Sequence, residues 1–153
     1  MTRNIARTSW CVAIAATTMM FAQDGKKVNT KGGVCQVTVP ASWKAGKGLD
    51  DFEAATSEDD GYVKAKALVI LKPPLDFSFA EIKAVIRQSY TDAKVTKDST
   101  TEFEMEGKLS SGELLAYRLI PVSNRRFCEV QVTYDSGMAD QARKVAWSLK
   151  SGK

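Results

Sequence analysis

The side chains able to do chemistry in this chain are carboxylates, cysteines and a few aromatics, because its 153 residues include no histidine. That removes Ser-His-Asp and Cys-His catalysis, histidine zinc sites and the usual general base near neutral pH. Among the acids, Asp50-Asp51-x-Glu53 and Glu58-Asp59-Asp60 cluster as a calcium site requires. They lack the Asp-x-Asp-x-Asp-Gly loop pattern and read as a solvated turn. Glu102, Glu104 and Glu106 recur at every second residue, which puts them on one face of a strand. Charge placed that way reads as an exposed face that resists edge-to-edge aggregation. No two acids are spaced as a convincing acid–base pair. Gly46, Gly48 and Gly61 have neither the spacing nor the following Lys-Ser/Thr of a phosphate loop. Arg125-Arg126 could hold an anion but reads as a hairpin tip. The expectation is a non-enzyme with no catalytic residue, no metal and no organic cofactor. Trp43, Tyr90, Tyr117 and Trp147 are the aromatics that would line a ligand pocket, if one lies between helices and sheet.

The N-terminus supplies an address. Arg3 and Arg7 precede an apolar run from Trp10 to Phe21, followed by Ala22 and the polar Gln23-Asp24-Gly25-Lys26-Lys27. This is the layout of a secretory signal peptide over residues 1–22, cleaved between Ala22 and Gln23. Cleavage after Ala15 satisfies the small-x-small rule better but shortens the apolar region. The run is too short to cross a bilayer, which takes about 20 residues. The mature chain is therefore expected to be secreted or periplasmic, without stable membrane insertion. The full chain has 22 basic and 18 acidic residues, a net charge of +4. Loss of Arg3 and Arg7 halves that excess, which is too little to predict a nucleic-acid partner. Cys11 leaves with the signal, and the mature chain keeps Cys35 and Cys128. An even pair in an exported chain predicts a disulfide between them. The alternative is two buried free thiols.

The elements that position these residues follow from periodicity. Residues 23–33 are polar and glycine-rich and read as a flexible lead. Cys35, Val37 and Val39 share one face of a first strand that Pro40 stops, with Trp43 folding back over the end of the core. A second strand is read near residues 51–57. A third runs from Tyr62 to Lys72, with Leu68 and Ile70 adding apolar residues to its second face, so both faces of the sheet need cover. After Pro73-Pro74, Ser78 and Glu81 are spaced as a capping box, with Phe77 and Ile82 as a hydrophobic staple. Phe79, Ile82, Val85, Ile86, Tyr90 and Ala93 then fall on one helical face. Three strands follow, the last with Cys128, Val130, Val132 and Tyr134 facing in. A closing helix buries Met138, Ala142, Val145, Ala146 and Leu149, with Lys150 and Lys153 at its end. Short turns within each half predict mainly antiparallel pairing. The class is α+β: a sheet of about six strands with two helices packed on it, in the order βββαβββα.

Four features carry a family resemblance. They are Val37-Thr38-Val39-Pro40-Ala41-Ser42-Trp43, a strand ending in Pro-x-x-Trp; the helix from Phe77 to Ala93 after a proline-terminated strand; the late strands Glu113 to Val122 and Arg126 to Tyr134; and the ending Lys144-Val145-Ala146-Trp147-Ser148-Leu149-Lys150. Over residues 34–150 the chain resembles the PsbP-like superfamily, which includes the photosystem PsbP subunit, a small yeast Ran-binding protein and bacterial envelope proteins of the DcrB and LpqN kind. The resemblance implies a single PsbP-like domain with no shared active site. It also implies an exported binding or assembly protein of the bacterial envelope with a protein partner. The other expectation is a carrier of a small apolar ligand.

Overall fold

The computed structural model describes residues 25–46 and 52–152; residues 1–22, read as a signal peptide, and the Ala22–Gln23 junction lie outside the described residues. Two sheets and two helices build the domain. The larger sheet has seven strands in the spatial order β3 (Lys44–Ala45), β4 (Phe52–Asp59), β5 (Tyr62–Leu71), β9 (Phe127–Tyr134), β8 (Leu114–Pro121), β7 (Phe103–Lys108) and β6 (Thr91–Asp98). Every pairing in it is antiparallel. The smaller sheet has β2 (Cys35–Pro40) at its centre, flanked by β1 (Gly25–Asn29) and β10 (Lys150–Ser151), again antiparallel. The helices are α1 (Phe79–Ser89) and α2 (Ala139–Trp147).

The period of two decides what each face of the large sheet meets. Ala65, Ala67, Val69 and Leu71 of β5, with Cys128, Val130 and Val132 of β9, face α2 and the small sheet. Val37 and Val39 of β2, Trp43, and Val145 and Ala146 of α2 complete that core. On the opposite face Phe103 and Met105 of β7, and Leu115, Tyr117 and Leu119 of β8, pack with Ile82 and Ile86 of α1. The result is a large sheet covered by α1 on one side and by α2 with the small sheet on the other. Burying Ile82 and Ile86 contributes about 1.5–3 kcal/mol each, which is what seats an eleven-residue helix.

The α1 start follows the sequence reading. The Glu81 amide donates to Ser78 Oγ at 3.2 Å, and the Ser78 amide donates to Glu81 Oε2 at 2.7 Å, closing the capping box. The helix ends earlier than the apolar spacing predicts. Tyr90 is extended, and Asp92 adopts φ 53°, a left-handed conformation that an aspartate tolerates. Thr91–Asp98 then runs as edge strand β6 on β7 rather than as the last turns of α1.

The class and the antiparallel pairing hold, with seven strands in the large sheet where about six are expected, and the three-stranded sheet is additional. Two further expectations are corrected. Residues 25–29, read as part of a flexible lead, form β1 and pair with β2 from Gly25↔Pro40 to Asn29↔Gln36. The closing helix ends at Trp147, and Lys150 and Ser151 pair with Gln36 and Cys35 instead of capping it. The domain therefore reaches beyond both ends of residues 34–150.

Gly152 shows how tightly that return is fitted. Its amide donates to the Val34 carbonyl at 2.8 Å, and a Cβ built on it would stand 1.7 Å from the Gly33 carbonyl oxygen. No such contact is tolerated, so Gly152→Ala must push β10 away from β2. The expected cost is about 1–3 kcal/mol, read as a lower urea midpoint with an unchanged slope. An unchanged midpoint would mean that β10 contributes nothing to stability.

Candidate ligand pocket beneath the first helix

The acids that invite a catalytic reading are mostly committed to cations. Glu58 pairs with Lys44 at 2.5 Å and Asp59 with Lys64 at 2.5 Å, on the hairpin that Asp60 (φ 50°) and Gly61 (φ 80°) turn. Asp50 and Asp51 lie outside the described residues. Glu102, Glu104 and Glu106 do share a strand face, but that face lies beneath α2 instead of in water. Arg118 reaches Glu102 at 2.5 Å and Glu104 at 3.4 Å, and Arg143 of α2 binds Glu106. Burial raises the Glu104 pKa, opposed mainly by the Arg118 charge. Arg125 binds Asp76 at 3.0 Å, and Arg126 Nε donates to the Lys72 carbonyl at 3.1 Å, so the arginine pair braces its hairpin.

The four aromatics divide between the two faces. Trp43 is buried in the α2 core, where its indole N–H donates to Gln141 Oε1 at 3.3 Å. Trp147 borders a shallow groove with Arg143 and Thr96. Tyr90 and Tyr117 meet on the α1 face, ring centroids 5.9 Å apart, and line one cavity of about 320 Å³. Its volume lies at the small end of the range for ligand pockets.

The cavity lies beside α1, which packs on β7 and β8 and, through Phe79 against Phe127, on the start of β9. The apolar wall comes from Leu75, Ile82, Val85 and Ile86, with Phe77 at the rim. Phe77 and Val85 are 54% and 55% exposed, apolar surface left open at the mouth. Opposite this wall lies a polar floor. Glu129 of β9 is only 2% exposed, its Oε2 paired with Lys72 Nζ at 2.8 Å and its Oε1 accepting from the Gln131 amide. Tyr117 is fully buried beside it, its hydroxyl set against the Glu129 carboxylate. Burial first, and then the Glu129 charge, raises the Tyr117 pKa well above its usual value, and the same two causes push Tyr90 up to about 12. Both phenols thus stay protonated at neutral pH.

Periodicity hides this floor. Cys128, Val130 and Val132 point to the α2 core, so Glu129 and Gln131 alternate onto the other face and read as solvent-facing. The signal that finds them is on the neighbouring strand. Leu115, Tyr117 and Leu119 demand cover on that second face, and Tyr117↔Gln131 and Leu119↔Glu129 are cross-strand partners.

No family model matches the sequence, and no curated protein does either. Among solved structures the chain is similar to cyanobacterial PsbP (CyanoP) from Synechocystis. That likeness covers 91% of this chain and 99% of that one at 7% identity, with a TM-score of 0.54. It is also similar to a crystal structure from Bacteroides thetaiotaomicron, at 17% identity over 84% of this chain, with a TM-score of 0.56. This chain spans about half the length of the Bacteroides protein, 49%. The fold is PsbP-like.

Proposed function

We propose that this PsbP-like chain is an exported, non-enzymatic binding protein of the bacterial cell envelope, and that it holds a small apolar molecule in the α1 pocket. The observation that carries the reading is the pocket itself: an apolar helical wall, an open mouth with two exposed apolar side chains, and a short polar floor. Such a division of apolar wall and few polar groups is what small-ligand sites present. The ion pairing of Glu58, Asp59, Glu102, Glu104 and Glu106 supports a binding role over acid–base chemistry. Export rests on the signal-like residues 1–22, and no helix among the described residues is long and apolar enough to cross a membrane.

The test uses N-phenyl-1-naphthylamine, an uncharged dye that fluoresces in apolar surroundings. Saturable binding at one site per chain is expected. Val85→Trp should fill the pocket from an exposed helix position and weaken dye binding at least tenfold without lowering the unfolding midpoint. Dye that does not bind, or binds V85W equally well, would sink the small-molecule reading. It would leave Phe77 and Val85 as a contact patch for the protein partner of an assembly role.

A further inference from the structure

We infer that the groove beside Trp147 is a second binding site, one that takes the ring face of an uncharged, β-linked glycan with equatorial hydroxyls. It lies on the α2 side of the large sheet, apart from the α1 pocket, and shares with the proposed function only the exported setting.

The platform is built before any ligand arrives. Trp147 closes α2, and its carbonyl accepts from Arg118 of β8. Its indole N–H is set toward Glu104, the buried carboxylate that Arg118 also contacts. Backbone and ring are thus tied to one arginine–glutamate pair beneath, so binding costs little side-chain ordering. With its N–H turned inward, the indole offers the groove only carbon. Thr96, Glu106, Arg143 and Lys144 complete a space of about 370 Å³, adding methyl and methylene surface around the ring.

The rim decides the charge of the occupant. Arg143 binds Glu106 and, at 3.2 Å, Asp140. Together with Lys144 these groups sum to zero, so the site has no net charge for a ligand to match. The rim still holds donors in Arg143 and Lys144, an acceptor in Glu106, and both in the Thr96 hydroxyl. A plain hydrocarbon would cover these groups without replacing their water. An anion gains from Lys144 but meets Glu106 and Asp140. What fits is a molecule with a carbon–hydrogen face and a rim of hydroxyls that both donate and accept. A pyranose with equatorial hydroxyls has that division, since its axial C–H bonds form a flat apolar face. Thr96 belongs to β6, the outermost strand of the large sheet, so the groove runs out at the sheet edge, where a linked sugar continues past the one that stacks.

The experiment is calorimetric titration of the mature protein with cellotetraose and with tetra-N-acetylchitotetraose. Saturable binding of at least one, with a Kd of about 0.1–1 mM, is expected, because a shallow site makes few contacts. Trp147→Leu removes the ring and should weaken binding at least tenfold. Because that change also releases Glu104, a second variant keeps the test independent of folding. Thr96→Arg, on an exposed edge strand, places a guanidinium over the indole face and should weaken binding at least fivefold with the unfolding midpoint unchanged. V85W should bind the glycan as wild type does, and T96R should bind N-phenyl-1-naphthylamine as wild type does, so the two sites fail separately. Neither glycan binding, an affinity unmoved in T96R, or sulfated heparin binding where both neutral glycans do not, overturns this inference and leaves the α1 pocket standing.

Discussion

Replacing Cys35 by alanine, or Cys128, or both together, is expected to destabilise the domain by nearly the same amount, about 4–5 kcal/mol in the chain-entropy account. The two sulfurs lie at bonding distance, with Cα atoms 5.4 Å apart and a sequence separation of 93. A covalent cross-link over a loop of that length persists on unfolding and restricts the unfolded chain. It also joins the two sheets. Cys35 belongs to β2 of the small sheet and Cys128 to β9 of the large one, and both side chains are fully buried between them. If the bridge is one unit, either single substitution abolishes it and the double adds little. If the thiols are independent core residues, the two effects add and each is the cost of a small cavity, nearer 1 kcal/mol. Urea unfolding of the three variants separates these outcomes. Thiol counting on denatured, unreduced protein recovered from the envelope should find none free in a chain whose intact mass begins at Gln23. Two free thiols there would overturn the bridge and weaken the case for export.

What was legible in advance was chemistry that acts over a few residues. The Ser78–Glu81 box states the start of α1, and Asp60-Gly61 states a hairpin, because both depend on neighbours in sequence. The parity of Cys35 with Val37 and Val39, and of Cys128 with Val130 and Val132, placed both sulfurs in one core without fixing which strands meet. Illegible parts depend on distant partners. Nothing in Gly25–Asn29 or Lys150–Ser151 announces a strand; β2 supplies their hydrogen bonds, and only the folded chain brings it near. β6 was lost for another reason. Tyr90 and Ala93 continue the α1 spacing, so period alone favours helix, and it is the pairing with β7 that decides otherwise. Of the four aromatics, Tyr90 and Tyr117 line the α1 cavity, whereas Trp43 and Trp147 sit on the far side of the sheet. Glu129 and Lys72 were missed because a charged residue between two apolar ones looks exposed until both faces of the sheet are covered.

Arg118 gives the second large effect, one that pH should expose. It stands on the α2 face of β8, where one guanidinium contacts Glu102, Glu104 and the Trp147 carbonyl that ends α2. Arg118→Met keeps most of the side-chain volume and removes all three. Glu104, buried, is left without its main compensating charge, and the last turn of α2 loses its anchor. Breaking one partner of a buried pair costs about 3–5 kcal/mol, and partial solvent access at Glu102 points to the lower end, about 3 kcal/mol at neutral pH. The sign of the pH dependence follows from the two acids. Burial already raises the Glu104 pKa above 4.5, so folding favours its protonated form; the stability this contributes is present below the ordinary carboxyl pKa and lost as pH rises through the folded value. Without Arg118 that pKa climbs further and the neutral-pH loss deepens. Glu102 behaves oppositely. Lys97 first, and Arg118 next, hold its pKa down, so its contribution is present at neutral pH and disappears as pH falls through the depressed value. Removing Arg118 forfeits part of that contribution at neutral pH as well. Both acids therefore make the R118M deficit largest near pH 7 and shrink it as pH falls toward about 4, Glu104 protonating first from its raised value and Glu102 later from its depressed one. Adding Glu104→Gln to R118M should restore much of the loss at pH 7, because the unpaired charge is gone while the amide keeps the shape. Chemical unfolding at the two pH values decides it: a deficit equal at both, or one that E104Q leaves untouched, would mean that Arg118 acts through packing and its hold on α2, and that the buried charge of Glu104 is compensated elsewhere.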